Sequence, residues 1–263
     1  MRANIEDQQR LKLLQKYPLE GHCHGRFAFF SAASGFLQSL LPDDLVLAPQ
    51  QYTPTGQHPL LLMFNDTWLK SNPNLQRIAV ASDSIMNLHY YEFIVMLPYV
   101  QFKEPQYNGK GPYCYLPVLY LNSVLAVLGG RIFWEFNKQM AGFSVKPLLF
   151  FVTAETAGND ILSGSTPIMG VLQPNTSIPN FQTIAPILEL PVIEHGSYGY
   201  VSSIYKIFFQ NIDIAPAAIA VSNSTCEYMP SGLITSPAIT ENPLGSFQMD
   251  YNWKLSYIEF IKF

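Results

Sequence analysis

The chain has 263 residues, a formal net charge of −4 at pH 7 and only 13% charged residues against 48% hydrophobic ones. This length suits one domain over residues 1–263, with a large hydrophobic core. The acidic balance and the lack of a basic run exclude the cationic face that nucleic acid binding requires, so no nucleic acid partner is expected.

The N-terminal part of the chain predicts two helices. Ile5–Lys16 carries an imperfect apolar stripe at helical spacing. Ser34 stands where it can cap a short helix over Gly35–Leu41, which Pro42 ends. The first ten residues lack the hydrophobic centre of a signal peptide, so we expect a cytoplasmic protein.

The rest of the chain reads mostly as strands. Many short strand patterns separated by Gly, Pro and Asn turns predict a mainly β fold, an antiparallel barrel or sandwich, and a large barrel can enclose a ligand cavity. The polar, proline-containing segment Ser222–Asn242 is expected to be a long surface excursion. The clearest predicted strands are Tyr91–Val100, Tyr113–Leu128, Pro147–Thr153, Gly199–Phe209 and Ile212–Val221.

The longest apolar run, Tyr113–Leu128, does not predict a membrane span. Pro117 and the polar pair at 122–123 interrupt it, and it is shorter than the roughly 20 residues that a spanning helix needs. We therefore expect no contact with membranes.

The cysteines and histidines predict neither a disulfide framework nor a metal centre. The cysteines are odd in number and far apart at Cys23, Cys114 and Cys226. His22 and His24 can share one face of a strand, but no third ligand is evident, so no metal ion is expected.

Lys138 is the most informative residue of the chain. It follows an apolar run and stands among aromatic residues such as Trp134 and Phe136, in a chain with few charges. Removal from water lowers the pKa of a lysine, and a neutral amine can attack a carbonyl carbon to form a Schiff base. The alternative is a structural lysine whose ammonium reaches the surface.

The segment around Lys138 resembles the acetoacetate decarboxylase family. An apolar strand ends in Tyr-Leu-Asn-Ser at 120–123, Gly-Arg-Ile follows at 130–132, and Phe-Asn-Lys-Gln stands at 136–139. The resemblance puts Lys138 on the Schiff-base lysine of the family.

Two further segments match the family in the same order. His-Gly-Arg-Phe at 24–27 falls on an arginine motif, and Tyr-Tyr-Glu at 90–92 opens a strand that Pro98 closes. These matches put Arg26 and Glu92 on the family's active-site arginine and glutamate.

The chain departs from the family pattern around the lysine. Gln139 replaces a second lysine, Asn137 replaces a proline, and Ile132 replaces a glutamate. A second family carboxylate falls on Leu60. Because Gln139 removes the neighbouring cation, burial is left as the main means of lowering the pKa of Lys138. The departures also leave open whether the substrate is the same as in the family.

The resemblance implies a fold, a site and a chemistry. The fold is an acetoacetate decarboxylase-like β-barrel around a central cavity, on which Arg26, Glu92 and Lys138 should converge. Catalysis would rest on Lys138 and Glu92 without a cofactor. A small keto acid would be the substrate, and homo-oligomers are common in the family. The implied substrate contacts are Arg26, Phe27, Trp134 and Phe136.

Three functions follow as alternatives. The first is a carbon–carbon lyase, a decarboxylase that forms a Schiff base between Lys138 and a β-keto acid similar to acetoacetate. The second is an aldolase or dehydratase that uses the same imine. The third is a non-catalytic barrel that binds a small apolar acid and keeps Lys138 protonated.

Overall fold

The computed structural model describes residues 19–70, 88–107, 109, 111–154, 159–174, 178, 180–196, 199–209, 212–242 and 244–261. The predicted helix Ile5–Lys16 lies outside these residues. The described part is mostly strand with few helices, as the sequence predicts.

Three α-helices are described: α1 (Ser34–Ser39), α2 (Val124–Trp134) and α3 (Phe181–Leu188). None of the described helices has the length and the apolar character that crossing a membrane demands. The strands are β1 (Leu19–Ala33), β2 (Leu45–Leu47), β3 (Gln57–Leu69), β4 (His89–Phe102), β5 (Tyr113–Leu121), β6 (Lys138–Lys146), β7 (Leu149–Ala154), β8 (Asp160–Met169), β9 (Gln173–Pro174), β10 (Val192–Gly196), β11 (Gly199–Ile207), β12 (Asp213–Asn223), β13 (Gly232–Ser236) and β14 (Phe247–Ile261).

Nine strands close into a barrel in the order β14-β1-β3-β4-β5-β6-β7-β8-β12, and the pairing of β12 with β14 completes the circle. Neighbouring strands are antiparallel, with two exceptions in the described part, since β5 runs parallel to both β6 and β10. The predicted barrel is therefore confirmed, and it is mixed rather than wholly antiparallel. A parallel neighbour needs a crossover, and α2 supplies the one between β5 and β6.

Strand β5 is the point at which the sheet forks. One of its edges pairs with β4, while the other pairs with β10 at Cys114 and Tyr115 and with β6 from Leu119 to Leu121. Side chains from both faces of β5 enter hydrophobic cores, and all nine of its residues are buried. This explains why the strand reads as an unbroken apolar run rather than as an alternating one.

Two hydrophobic cores lie on opposite faces of strands β1, β3, β4 and β5. The first core receives residues of β10, β11, α2 and α3, including Val192, Val201, Trp134 and Phe181. The second core receives residues of β7, β8 and β12, including Phe150, Leu162 and Ile219. On β1, for example, Phe27 and Phe29 enter the first core, whereas Ala28 and Phe30 enter the second. Successive side chains of a strand point to opposite faces, so a shift of one residue changes the core that a side chain joins.

The predicted strand Tyr113–Leu128 is wrong in its second half. The strand ends at Leu121, and α2 begins at Val124. The Ser123 side chain caps this helix by accepting a hydrogen bond from the Ala126 N–H at 3.3 Å. Apolar residues continue across the boundary, so periodicity alone does not separate the strand from the helix.

The predicted surface excursion Ser222–Asn242 is also wrong in part. It contains β13 and buries Cys226, Met229 and Ile239. The cap predicted at Ser34 is not formed either, because Ser34 is the first residue of α1 and Ala33 precedes the helix without a side-chain cap.

Asn223 holds the beginning of this segment together. Its side-chain Nδ2 donates to the carbonyls of Cys226, Met229 and Pro230 at 2.8, 3.0 and 3.0 Å, and its Oδ1 accepts the Cys226 N–H at 2.8 Å. The side chain is buried, so water cannot replace these bonds without opening the segment.

We predict that Asn223→Ala lowers the free energy of unfolding by about 2–3 kcal/mol, because several buried groups lose their partner. Urea unfolding measures the change. The exposed neighbour Ser222 provides the matched control, and Ser222→Ala should change stability by less than about 0.5 kcal/mol. Equal effects of the two substitutions would contradict the role of Asn223.

Candidate active site

Lys138 is the first residue of β6 and lies at the fork of the sheet. Helix α2 ends in a turn in which Glu135 adopts a left-handed conformation with φ 55°, and the Phe136 N–H donates to the Gly130 carbonyl at 3.2 Å. Arg131 donates from Nε to the Lys138 carbonyl at 2.6 Å. The end of α2 therefore sets the position at which Lys138 enters the sheet.

The side chain of Lys138 lies across the helix that precedes it. Its Nζ donates to the Ala126 carbonyl at 3.4 Å. A methyl group on Gly130 would stand 2.2 Å from Cδ of the lysine, so only glycine leaves room there. Part of the residue stays accessible, but burial of the amino group lowers the pKa of Lys138, while Glu92 and Glu194 oppose this shift.

Glu92 is a buried carboxyl group of β4 in the same environment. Its Oε1 accepts hydrogen bonds from Asn65 Nδ2 at 3.2 Å and from Thr67 Oγ1 at 3.1 Å. Burial raises the pKa of Glu92, and the charge of Lys138 and these two hydrogen bonds act in the opposite direction. The structure thus brings together the two residues that the sequence predicts as catalytic.

Glu194 is a second buried carboxyl group beside Lys138, and sequence reasoning missed it. It lies on β10 and is only 2% exposed. The backbone N–H of Asn137, the residue before Lys138, donates to its Oε1. Burial raises the pKa of Glu194 well above its ordinary value, against the effects of the Asn137 hydrogen bond and of Lys138. The only sequence signal was a carboxylate within an apolar stretch, in a region that the resemblance covers loosely.

Burial moves all three groups towards their neutral forms. Burial favours the neutral form of the Lys138 amine, and a neutral amine is a nucleophile. The arrangement can therefore attack a carbonyl and supply or accept protons at the same place.

A chain of polar side chains leads from Glu92 into the first core. Thr67 lies 3.6 Å from the Cys23 thiol, which also bonds to Tyr251, and the hydroxyls of Tyr251 and Tyr205 are 3.2 Å apart. Burial is the main reason that the pKa values of Cys23, Tyr205 and Tyr251 are raised. These groups stay protonated and serve as hydrogen-bonding partners.

A small cavity adjoins the far end of this chain, at Tyr205. Its volume is about 10 Å³, the space of about one water molecule. Apart from Tyr205 and Cys114 its walls are apolar, with Leu61 and Met63 on one side and Ile187 of α3 on another. Lys138, Glu92 and Arg26 do not line it, so this cavity is not the predicted central one.

Arg26 does not join the other predicted site residues. It lies opposite Phe64 on the neighbouring strand, and its guanidinium is 5.6 Å from the Phe64 ring, in the second core. Its Nη2 donates to the Pro147 carbonyl at 3.1 Å, and burial lowers its pKa. The predicted convergence is therefore wrong for Arg26, because side chains alternate and Glu92 lies on the opposite face.

Phe27, Trp134 and Phe136 belong to the first core, on the same side of the sheet as Lys138. Phe27 stacks on Phe247 at a centroid distance of 4.8 Å. Trp134 and Phe136 are buried on either side of the turn that leads to Lys138. They contribute to the burial of the amine, and their contact with a substrate stays a prediction.

His22 and His24 both point towards Asp250, whereas Cys23 points to the opposite face. His24 Nδ1 lies 2.8 Å from Asp250 Oδ1. Within the described residues, no three His, Cys, Asp or Glu side chains are grouped as a metal would require.

No family model and no curated protein matches this sequence. Solved structures do match it. The enduracididine biosynthesis enzyme MppR, complexed with the condensation product of pyruvate and imidazole 4-carboxaldehyde, is 10% identical, with a TM-score of 0.58 and coverage of 93% of this chain and 89% of that one. Acetoacetate decarboxylase from Legionella pneumophila is 11% identical, with a TM-score of 0.54 and coverage of 92% and 86%. An acetoacetate decarboxylase-like enzyme from Sphingomonas wittichii RW1 is 9% identical, with a TM-score of 0.53 and coverage of 94% and 93%.

These matches extend over nearly the whole of each chain. The chain therefore has the acetoacetate decarboxylase-like fold that the resemblance implies. The low identities show a sequence that has diverged far from all three.

We predict that Glu92→Gln lowers the pKa of Lys138 further. The amide keeps an oxygen for Asn65 and Thr67 but removes the charge that favours the ammonium form. Acetic anhydride reacts only with the neutral amine, so acetylation of Lys138 at neutral pH should become several-fold faster. Peptide mass mapping over a pH series measures it.

The exposed residue Glu241 provides the control, and Glu241→Gln should leave the acetylation profile of Lys138 unchanged. A slower reaction of Lys138 in Glu92→Gln would show that Glu92 does not favour the ammonium form.

Proposed function

We propose that this protein is an enzyme that forms a Schiff base between Lys138 and a small keto acid. The observation that supports it most is the buried amine of Lys138 between two buried carboxyl groups, Glu92 and Glu194. The acetoacetate decarboxylase-like fold supports it as well, but a fold by itself does not decide an activity.

The chemistry begins with the neutral amine. Lys138 attacks the ketone carbon to give a carbinolamine, which loses water and becomes a protonated imine. The imine withdraws electrons from the neighbouring carbon–carbon bond, as an electron-sink cofactor would, so no external cofactor is needed. With a β-keto acid, carbon dioxide leaves, and the enamine is protonated and hydrolysed.

An aldol-type condensation is the second candidate. MppR has been solved with pyruvate and with a condensation product of pyruvate and an aldehyde. An enamine on Lys138 can attack an aldehyde as readily as it can take a proton.

The substrate is proposed to be small. Helix α2 lies directly against the Lys138 side chain, since a methyl group on Gly130 would stand 2.2 Å from its Cδ. Short keto acids, such as pyruvate and acetoacetate, therefore suit the site better than long-chain acids. The homo-oligomer that the resemblance implies and the cytoplasmic location that the N-terminal sequence suggests both stay predictions.

Borohydride trapping tests the proposed function. The protein is incubated with pyruvate or acetoacetate, reduced with sodium borohydride and mapped by peptide mass. We expect a mass gain at Lys138, and none in Lys138→Ala. Lys138→Arg should fail too, because a guanidinium stays protonated and is no nucleophile.

Lys146 lies on the same strand and is exposed, so Lys146→Ala is the matched control and should still be trapped at Lys138. Release of carbon dioxide from acetoacetate distinguishes decarboxylation from condensation. If the wild-type protein gains no mass at Lys138 with either acid, the binding-barrel alternative replaces the enzyme.

A further inference from the structure

The two carboxyl groups beside Lys138 are held in different ways. Glu92 accepts hydrogen bonds from Asn65 and Thr67 at the same oxygen, which supports a negative charge. Glu194 uses Oε1 to accept the Asn137 N–H. Its Oε2 is buried and has no hydrogen-bond partner among the described residues.

An unpartnered carboxyl oxygen in a dry environment costs free energy. A buried carboxyl oxygen without a donor is best accommodated as the protonated form, whose O–H is then available to a group that binds beside it. In the proposed reaction, this group is the hydroxyl of the carbinolamine that forms on Lys138. Strand β10, which bears Glu194, and strand β6, which bears Lys138, lie along the same edge of β5. Glu194 thus holds the residue before Lys138 through one carboxyl oxygen and has its other oxygen buried without a partner among the described residues.

We infer that Glu194 is the general acid that expels water from the carbinolamine on Lys138, an inference that rests on the proposed function. In this step the O–H bond of Glu194 breaks and its proton moves to the carbinolamine hydroxyl. The carbon–oxygen bond breaks, water leaves, and the nitrogen lone pair forms the C=N bond. The products are a protonated imine, a Glu194 carboxylate and one water molecule.

The reverse step uses the same atoms. When water attacks the imine at the end of the cycle, the Glu194 carboxylate takes back the proton and the carbinolamine returns. Glu92 remains the charge partner of the imine throughout, because its hydrogen bonds already support a carboxylate.

The test separates imine formation from simple attack by the amine. Glu194→Gln keeps an oxygen for the Asn137 N–H but has no acidic proton. We expect pyruvate-dependent trapping at Lys138 to slow by about 100-fold or more, as the loss of general acid catalysis predicts. Acetylation of Lys138 by acetic anhydride needs no such acid and should not slow.

The pH profile supplies a second readout. The titratable and charged groups of the described elements around Glu194 include Lys138, Glu92, Arg131, Glu135 and Tyr115. In the wild type, imine formation should fall at high pH as the acid loses its proton, and Glu194→Gln should lose this decline. Glu194→Asp keeps the acid on a shorter side chain, so it should slow trapping but retain the fall in rate at high pH. This variant serves as the test if Glu194→Gln does not fold.

Equal slowing of trapping and acetylation would show that Glu194 only positions Lys138, and an unchanged trapping rate would show that it has no part in the step. Either result overturns the inference while the Schiff base stands. Absence of trapping in the wild type would instead overturn the proposed function and the inference with it.

Discussion

Burial of the Lys138 amine between two carboxyl groups is the constraint on which the candidate site depends. The fork at β5 produces it, because β6 and β10 share one edge of that strand and so bring Lys138 and Glu194 together, while β4 on the other edge supplies Glu92. Gly130 leaves the space through which the lysine side chain passes. The chemistry therefore follows from the topology of the sheet and from the end of one helix.

This arrangement opposes the stability of the fold at neutral pH. A carboxyl group whose pKa is raised on folding binds more protons in the folded state, so stability falls as the pH rises from its ordinary pKa of about 4.3 through the raised value. A lysine whose pKa is lowered binds more protons when unfolded, so stability rises with pH between the lowered value and about 10.4. At neutral pH both effects weaken the folded state. Such a cost is typical of functional sites rather than of structural ion pairs.

Strand patterns in the sequence predict the barrel, and the family resemblance predicts that Lys138 and Glu92 lie in one environment. The sequence does not predict which face of β1 bears Arg26, since that depends on the register with β3, where Gly25 rather than Arg26 stands opposite Asn65. Glu194 is missed for a related reason. Its position beside Lys138 arises from a parallel pairing between segments distant in sequence. Local patterns likewise do not reveal that the apolar run 113–128 changes from strand to helix at Ser123.

Solved structures at 9–11% identity show the fold alone, so they do not decide between an enzyme and a binding barrel. The pKa of the Lys138 amine distinguishes the two. A titration of the lysine side-chain nitrogens by ¹⁵N NMR tests it most directly, with the Lys138 signal assigned by its loss in Lys138→Arg. The account predicts that this signal titrates well below the other lysines and below the ordinary value of about 10.4. A Lys138 signal that titrates with or above the other lysines would contradict it.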